Sequence, residues 1–145
     1  MKTFEVILWE RTGIWATAML RSLPCEVRLV QTRGRAECIR QLALAPTSLA
    51  ALELTPANLA NVIAMTRDIT AMHPWAAVVV LAEPELAACE PVVREAGALH
   101  FFVSPREFDG WRQTVLNHFG RIPLRTGEFA ESVWESLPWS DAVGA

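Results

Sequence analysis

A chain of 145 residues with 52% apolar content and six tryptophans is long enough for one packed domain and too apolar to stay disordered. Its formal charge of −3 comes from arginines scattered among glutamates, with Lys2 the only lysine, and no basic stripe offers a footprint for a nucleic-acid partner. Cys25, Cys38 and Cys89 are odd in number and lack metal-ligand spacing, no secretory pattern opens the chain, and no apolar run would span a bilayer, so a reduced, cytoplasmic protein is expected.

In chain order, "FEVILW" (4–9) is a continuous apolar run of strand formers. Residues 11–23 follow with Ile14, Trp15, Ala18, Met19 and Leu23 on one helical stripe. "CEVRLVQT" alternates like an outer strand, and residues 35–45 place Ala36, Ile39, Leu42 and Ala43 on one helix face. "SLAALEL" reads as a third strand, after which Thr55 and Pro56 suit the N-cap and first turn of a helix carrying Leu59, Val62, Ile63, Ile69 and Met72 inward. "WAAVVVLA" has no polar break, as expected of a parallel strand buried on both faces. The next helix contains Pro91, which removes a backbone donor and forces a late start or a kink. "LHFFVS" is the fifth strand, and residues 106–120 close the series with Phe108, Trp111, Val115 and Phe119 inward.

Five strands alternating with five helices predict a doubly wound, flavodoxin-like α/β domain with a parallel sheet in the order 2-1-3-4-5. The strands are expected near 4–9, 26–31, 49–54, 76–82 and 99–103. Chemistry in such a fold gathers beyond the carboxyl ends of the strands, at residues 9–12, 52–55, 82–84 and 102–105.

In element order, in element length and in the Ala-Gly-Ala turn (96–98) before the fifth strand, residues 3–121 resemble a response-regulator receiver domain. The resemblance implies an acidic pair after the first strand, a phospho-accepting aspartate after the third, a Thr or Ser after the fourth and a lysine before a cis-proline after the fifth. Here "LWERT" keeps Glu10 as the only acid, with Trp9 or Arg11 in the other place. "LELTP" puts Leu52 at the acceptor position when counted from Pro56, or Glu53 when judged by its acid. Ala82 and Ser104 occupy the fourth-strand and lysine positions. Aspartyl phosphate formation needs Mg²⁺ on clustered carboxylates and a cation beside the phosphoryl oxygens, and this set supplies neither. Glu10 and Glu53 are therefore read as a solvated or hydrogen-bonded pair of strand-end carboxylates rather than a weak divalent-ion site, without metal or cofactor. Phe101 stands where receivers carry a switch aromatic, and with no phosphoryl trigger it reads as a core phenylalanine. The Ser104–Pro105 bond is a candidate for the cis form on the receiver pattern.

The expected protein is thus a degenerate, non-phosphorylatable receiver that acts as a protein–protein interaction and signalling module, not an enzyme. The alternative is a small flavodoxin-like enzyme or ligand-binding protein. Cys25, His73, His100, Ser104 and His118 are the candidate catalytic groups, but spacing forces no pair together, His118 falls among exposed positions of the last helix, and no nucleophile elbow or phosphate loop is present. The domain is expected to span 1–121, with 122–145 a C-terminal tail. There Phe129, Val133, Trp134 and Leu137 fall at helical spacing opposite Glu128, Glu131 and Glu135, and Pro138 and Trp139 follow. Trp134, Leu137 and Trp139 are the partner-binding candidates, either against this chain's own helices or in a partner, which is another protein or a second copy.

Overall fold

The computed structural model describes residues 4–122. Five strands alternate with five helices: β1 (Phe4–Trp9), α1 (Ile14–Leu20), β2 (Val27–Thr32), α2 (Arg35–Leu44), β3 (Leu49–Glu53), α3 (Leu59–Met72), β4 (Ala77–Ala82), α4 (Glu90–Ala96), β5 (His100–Val103) and α5 (Trp111–Arg121). All the strands pair in parallel, in the order β2-β1-β3-β4-β5. This is the expected flavodoxin-like winding, and each strand lies within a residue or so of its expected range.

The sheet separates two apolar layers. On one side Ile7, Ala50, Leu52, Val78, Val80 and Phe101 meet Cys38 and Leu42 of α2, Val62, Met65 and Ile69 of α3, and Val93 of α4. On the other side Val6, Leu8, Leu49, Ala51, Val79, Leu81 and Phe102 meet Trp15 and Met19 of α1, and Trp111, Val115 and Phe119 of α5. Alternate residues of one strand serve opposite layers, which is why β4 is apolar throughout and β1 and β3 are apolar except at Glu5 and Glu53 near their ends. Removing one of these fully buried leucines to alanine costs about 2–5 kcal/mol.

Several local readings are corrected. The third helix does not start at Thr55 and Pro56. Residues 55–58 form a turn in which the Asn58 side chain accepts from the Thr55 N–H (2.7 Å) and donates to the Glu53 carbonyl (2.9 Å), and α3 begins at Leu59. Pro91 imposes the late start: a 3₁₀ turn (Pro84–Cys89) precedes α4, whose first turn holds the proline. The inward face of α2 is Cys38 and Leu42, while Ile39 is 41% exposed and Ala36 and Ala43 face solvent. In α3 the inward residues include Met65 and Thr66, and Met72 is exposed. Thr66 enters the core because its hydroxyl donates to the Val62 carbonyl one turn back.

The Ser104–Pro105 bond is trans, not cis, among described residues that contain no cis peptide. The bend is made instead by Ser104 itself, at φ 114°. That is a costly region for a residue with a Cβ, and the Ser104 hydroxyl compensates by accepting from the Arg106 N–H (3.2 Å) to cap the 3₁₀ turn at Pro105–Glu107. His118 is not exposed but buried. Its Nε2 lies 3.0 Å from the Thr47 carbonyl, a partner 71 residues away in sequence.

Candidate functional site

β1 and β3 lie side by side with Trp9 opposite Leu52, and β3 and β4 with Glu53 opposite Leu81. Their carboxyl ends, with the loops after them, enclose a cleft of about 290 Å³. Arg11, Thr12 and Trp15 line it from after β1, Glu53 to Pro56 from the end of β3, and Leu81 to Glu83 with Leu86 from the end of β4 and the segment after it. A second, more polar cleft lies across Arg11, lined by Glu10, Thr12, Gly13, Gln31, Thr32 and Arg33.

Glu10 does not face the first cleft. It is buried, and its carboxylate turns into the start of α1, where Oε2 accepts from the Trp15 N–H (3.0 Å) and Oε1 from the Ala16 N–H (2.8 Å). Both oxygens are therefore committed to backbone donors that a helix of only seven residues would otherwise leave unpaired. Glu53 is the carboxylate that reaches the cleft. Its Oε1 accepts from the Arg11 N–H (3.2 Å). Partial burial raises its pKa above the usual carboxylate range. The Arg11 hydrogen bond opposes that shift, and the charges of Glu10 and Glu83 add to it.

Leu52 is fully buried in the layer beneath α2 and α3, so of the two residues considered for the acceptor position only Glu53 reaches the cleft. Ala82 lies on the cleft wall with its side chain buried. Ser104 does not line the cleft; its hydroxyl caps the following turn. An aromatic cluster lies in the layer under α1 and α5. Phe108 stacks on Trp111 (centroids 5.0 Å apart) and meets Trp15 (5.3 Å) and Phe102 (4.9 Å) edge-on. Phe101 is a buried core residue of the opposite layer. Trp134, Leu137 and Trp139 lie outside the described residues.

Two features escaped sequence reasoning. Asn58, three residues beyond Thr55, organises the floor of the cleft, and an Asn at the start of a helical stripe was the available signal. The Thr55 hydroxyl, on the cleft wall, is buried and has no hydrogen-bond partner among the described residues. No group of three metal-ligating side chains comes together among the described residues.

A five-stranded parallel sheet in this order, with its loops gathered around one carboxyl-end cleft, defines the fold of response-regulator receivers. The comparisons agree at the level of fold. A response regulator from Thermotoga maritima superposes with a TM-score of 0.71 at 17% identity, covering 82% of this chain and 99% of that one. A CheY-like protein (tadZ) from Pseudomonas aeruginosa gives 0.65 at 17% identity, covering 85% and 98%. A putative pilus assembly-related protein from Burkholderia pseudomallei gives 0.57 at 16% identity, covering 80% and 91%. The fold is also shared by RcsB of Salmonella enterica serovar Typhimurium, one structure of which is bound to promoter DNA in the presence of a phosphomimetic. The chain matches no protein-family model and no curated protein sequence.

Proposed function

We propose that this chain is a receiver-like signalling module that works through protein contacts and does not accept a phosphoryl group. The observation that carries the reading is the engagement of Glu10, the one acid after β1, by two backbone N–H groups of α1. A carboxylate so held is a structural cap, and turning it outward to a cation would cost both buried N–H groups their acceptor. Two further features support it. The residue one before Glu53 is a buried leucine, and no lysine follows β5. Without metal and cation, charge on a transferring phosphoryl group has nothing to balance it.

On this reading residues 1–121 are the receiver-like domain, residues 122–145 are an interaction tail, and the protein acts in the cytoplasm without enzymatic activity. The partner is a protein, as the scattered arginines favour, and not nucleic acid; RcsB on DNA makes DNA binding an outcome to be measured directly. The description of one structural neighbour as pilus assembly-related is in keeping with a role exercised through assembly with other proteins.

The test is exposure of the full chain to Mg²⁺ with beryllofluoride, followed by amide chemical shifts, and to a small phosphodonor, followed by intact mass. No shift change at Glu53, Arg11 or Ser104 and no added mass are expected. A saturable beryllofluoride site or a carboxyl phosphate at the cleft would overturn the proposal. Titration of labelled duplex DNA at physiological salt is expected to show no saturable binding.

A further inference from the structure

At the opposite end of the molecule from the cleft, Phe4 of β1, Pro24, Val27 of β2, and Val115, Leu116 and Phe119 of α5 line an open groove of about 270 Å³. Its walls are almost wholly apolar; Glu26 is the one charged residue in them, and Leu116 is 44% exposed. An apolar groove on a surface marks something that covers it.

The chain's own sequence beyond residue 122 offers a cover. α5 ends at Arg121, Ile122 leaves it in an extended conformation, and Gly120, two residues earlier, is already part of the groove wall. The described chain therefore ends two residues past the groove wall. Pro123 cannot continue the helix, and residues 123–127, "PLRTG", can span about 16–18 Å when extended, enough to turn the chain back. Next come Phe129, Val133, Trp134 and Leu137, one apolar stripe on a 3.6-residue period.

Charge favours the same occupant. α5 carries Arg112 and Arg121 and no acid, while residues 126–139 carry Glu128, Glu131 and Glu135 and no base. With the apolar stripe turned inward the glutamates fall on the outer side and flanks of the segment, within the field of the two arginines.

We infer that residues 128–139 fold back onto this groove of their own chain, with Leu116 and Phe119 receiving the apolar stripe. The inference is independent of the phosphorylation reading, since the groove and the cleft lie at opposite ends of the strands.

Cys25 gives a direct test. It is exposed and stands between Pro24 and Glu26, both part of the groove wall. Cys38 is buried, with its thiol pushed up to about 11 chiefly by desolvation, and stays unreactive. In the full chain carrying Cys89→Ser, a cysteine is introduced at Ser132 or at Ser136, flanking the stripe, and the diluted protein is oxidised. A disulfide forms only when Cα atoms come within about 7 Å. The inference expects an intramolecular Cys25 disulfide from at least one of the two positions, absent in Cys25→Ser. Leu116→Asp should lower its yield about tenfold by placing a charge under the stripe, with the melting curve of the domain little changed. Disulfides mainly between chains would replace the inference with a second copy as occupant. No Cys25 disulfide at either position, or a yield indifferent to Leu116→Asp, would overturn it.

Discussion

Replacing Glu10 by alanine removes the acceptor for two backbone donors at once. Trp15 and Ala16, whose N–H groups bond to it at 3.0 and 2.8 Å, are themselves 3% and 5% exposed, so water cannot freely replace the carboxylate. Hydrogen bonds to a charged group contribute about 1.5–3 kcal/mol each, and the relief of a buried charge offsets part of the loss. The net cost is then about 2–4 kcal/mol, a large part of the stability of a domain this size. Glu10→Gln keeps one acceptor oxygen and should cost about half as much. In urea, with m of about 2 kcal/mol/M, the alanine variant should unfold about 1–2 M earlier. The measurement is repeated with millimolar Mg²⁺. If Glu10 is a cap, Mg²⁺ leaves both variants and the parent unmoved. A parent stabilised by Mg²⁺, with the gain lost in Glu10→Gln, would show that the carboxylate is a metal ligand and refute the reasoning. So would an alanine variant as stable as the parent.

His118 is held neutral in the fold, its pKa lowered mainly by burial and also by Arg121, against opposing hydrogen bonds from Thr47 and Ser48, and its Nδ1 has no partner among the described residues. The unfolded chain therefore binds a proton that the folded chain resists, so this contribution to stability is full above about pH 6.5 and declines as the pH falls. Denaturant midpoints measured from pH 7.5 to 5 should drop, and His118→Gln should flatten that part of the profile; an unchanged slope would be contrary. Gly97 closes α4 at φ 121°, and a Cβ there would lie 2.6 Å from the Thr70 Oγ1, so Gly97→Ala should cost about 1–3 kcal/mol in the same assay. A variant within 0.5 kcal/mol, flagged here as about the usual surface effect, would contradict that reading.

The central strands were legible because burial on both faces demands apolar runs: "AVVVLA" is wholly apolar and "FEVILW" is broken only by Glu5, while β2 showed itself by alternation. Helix faces were less legible where alanine dominates. Ala36 and Ala43 complete an apolar stripe on paper, yet a methyl group loses little in water, and the layer is filled instead by Cys38 and Leu42. The burial of His118 was invisible because its partner, the Thr47 carbonyl, is brought to it only by the tertiary fold. At the cleft, sequence placed Glu10 and Glu53 at neighbouring strand ends but could not tell which way each carboxylate turns. The direction is decided for Glu10 by two donors five and six residues further on. The trans Ser104–Pro105 bend lay beyond any propensity argument, since it depends on one residue adopting a positive φ.

α5 touches both ends of the molecule. Near its start Trp111 stacks on Phe108, which leans on Trp15 in the wall of the cleft, and at its end Phe119 and Gly120 form one side of the apolar groove. Eleven residues of helix make a rigid strut of about 16 Å between the two. Whatever seats on the groove therefore rests on the same element that, through two aromatic contacts, backs Trp15 in the wall of the cleft.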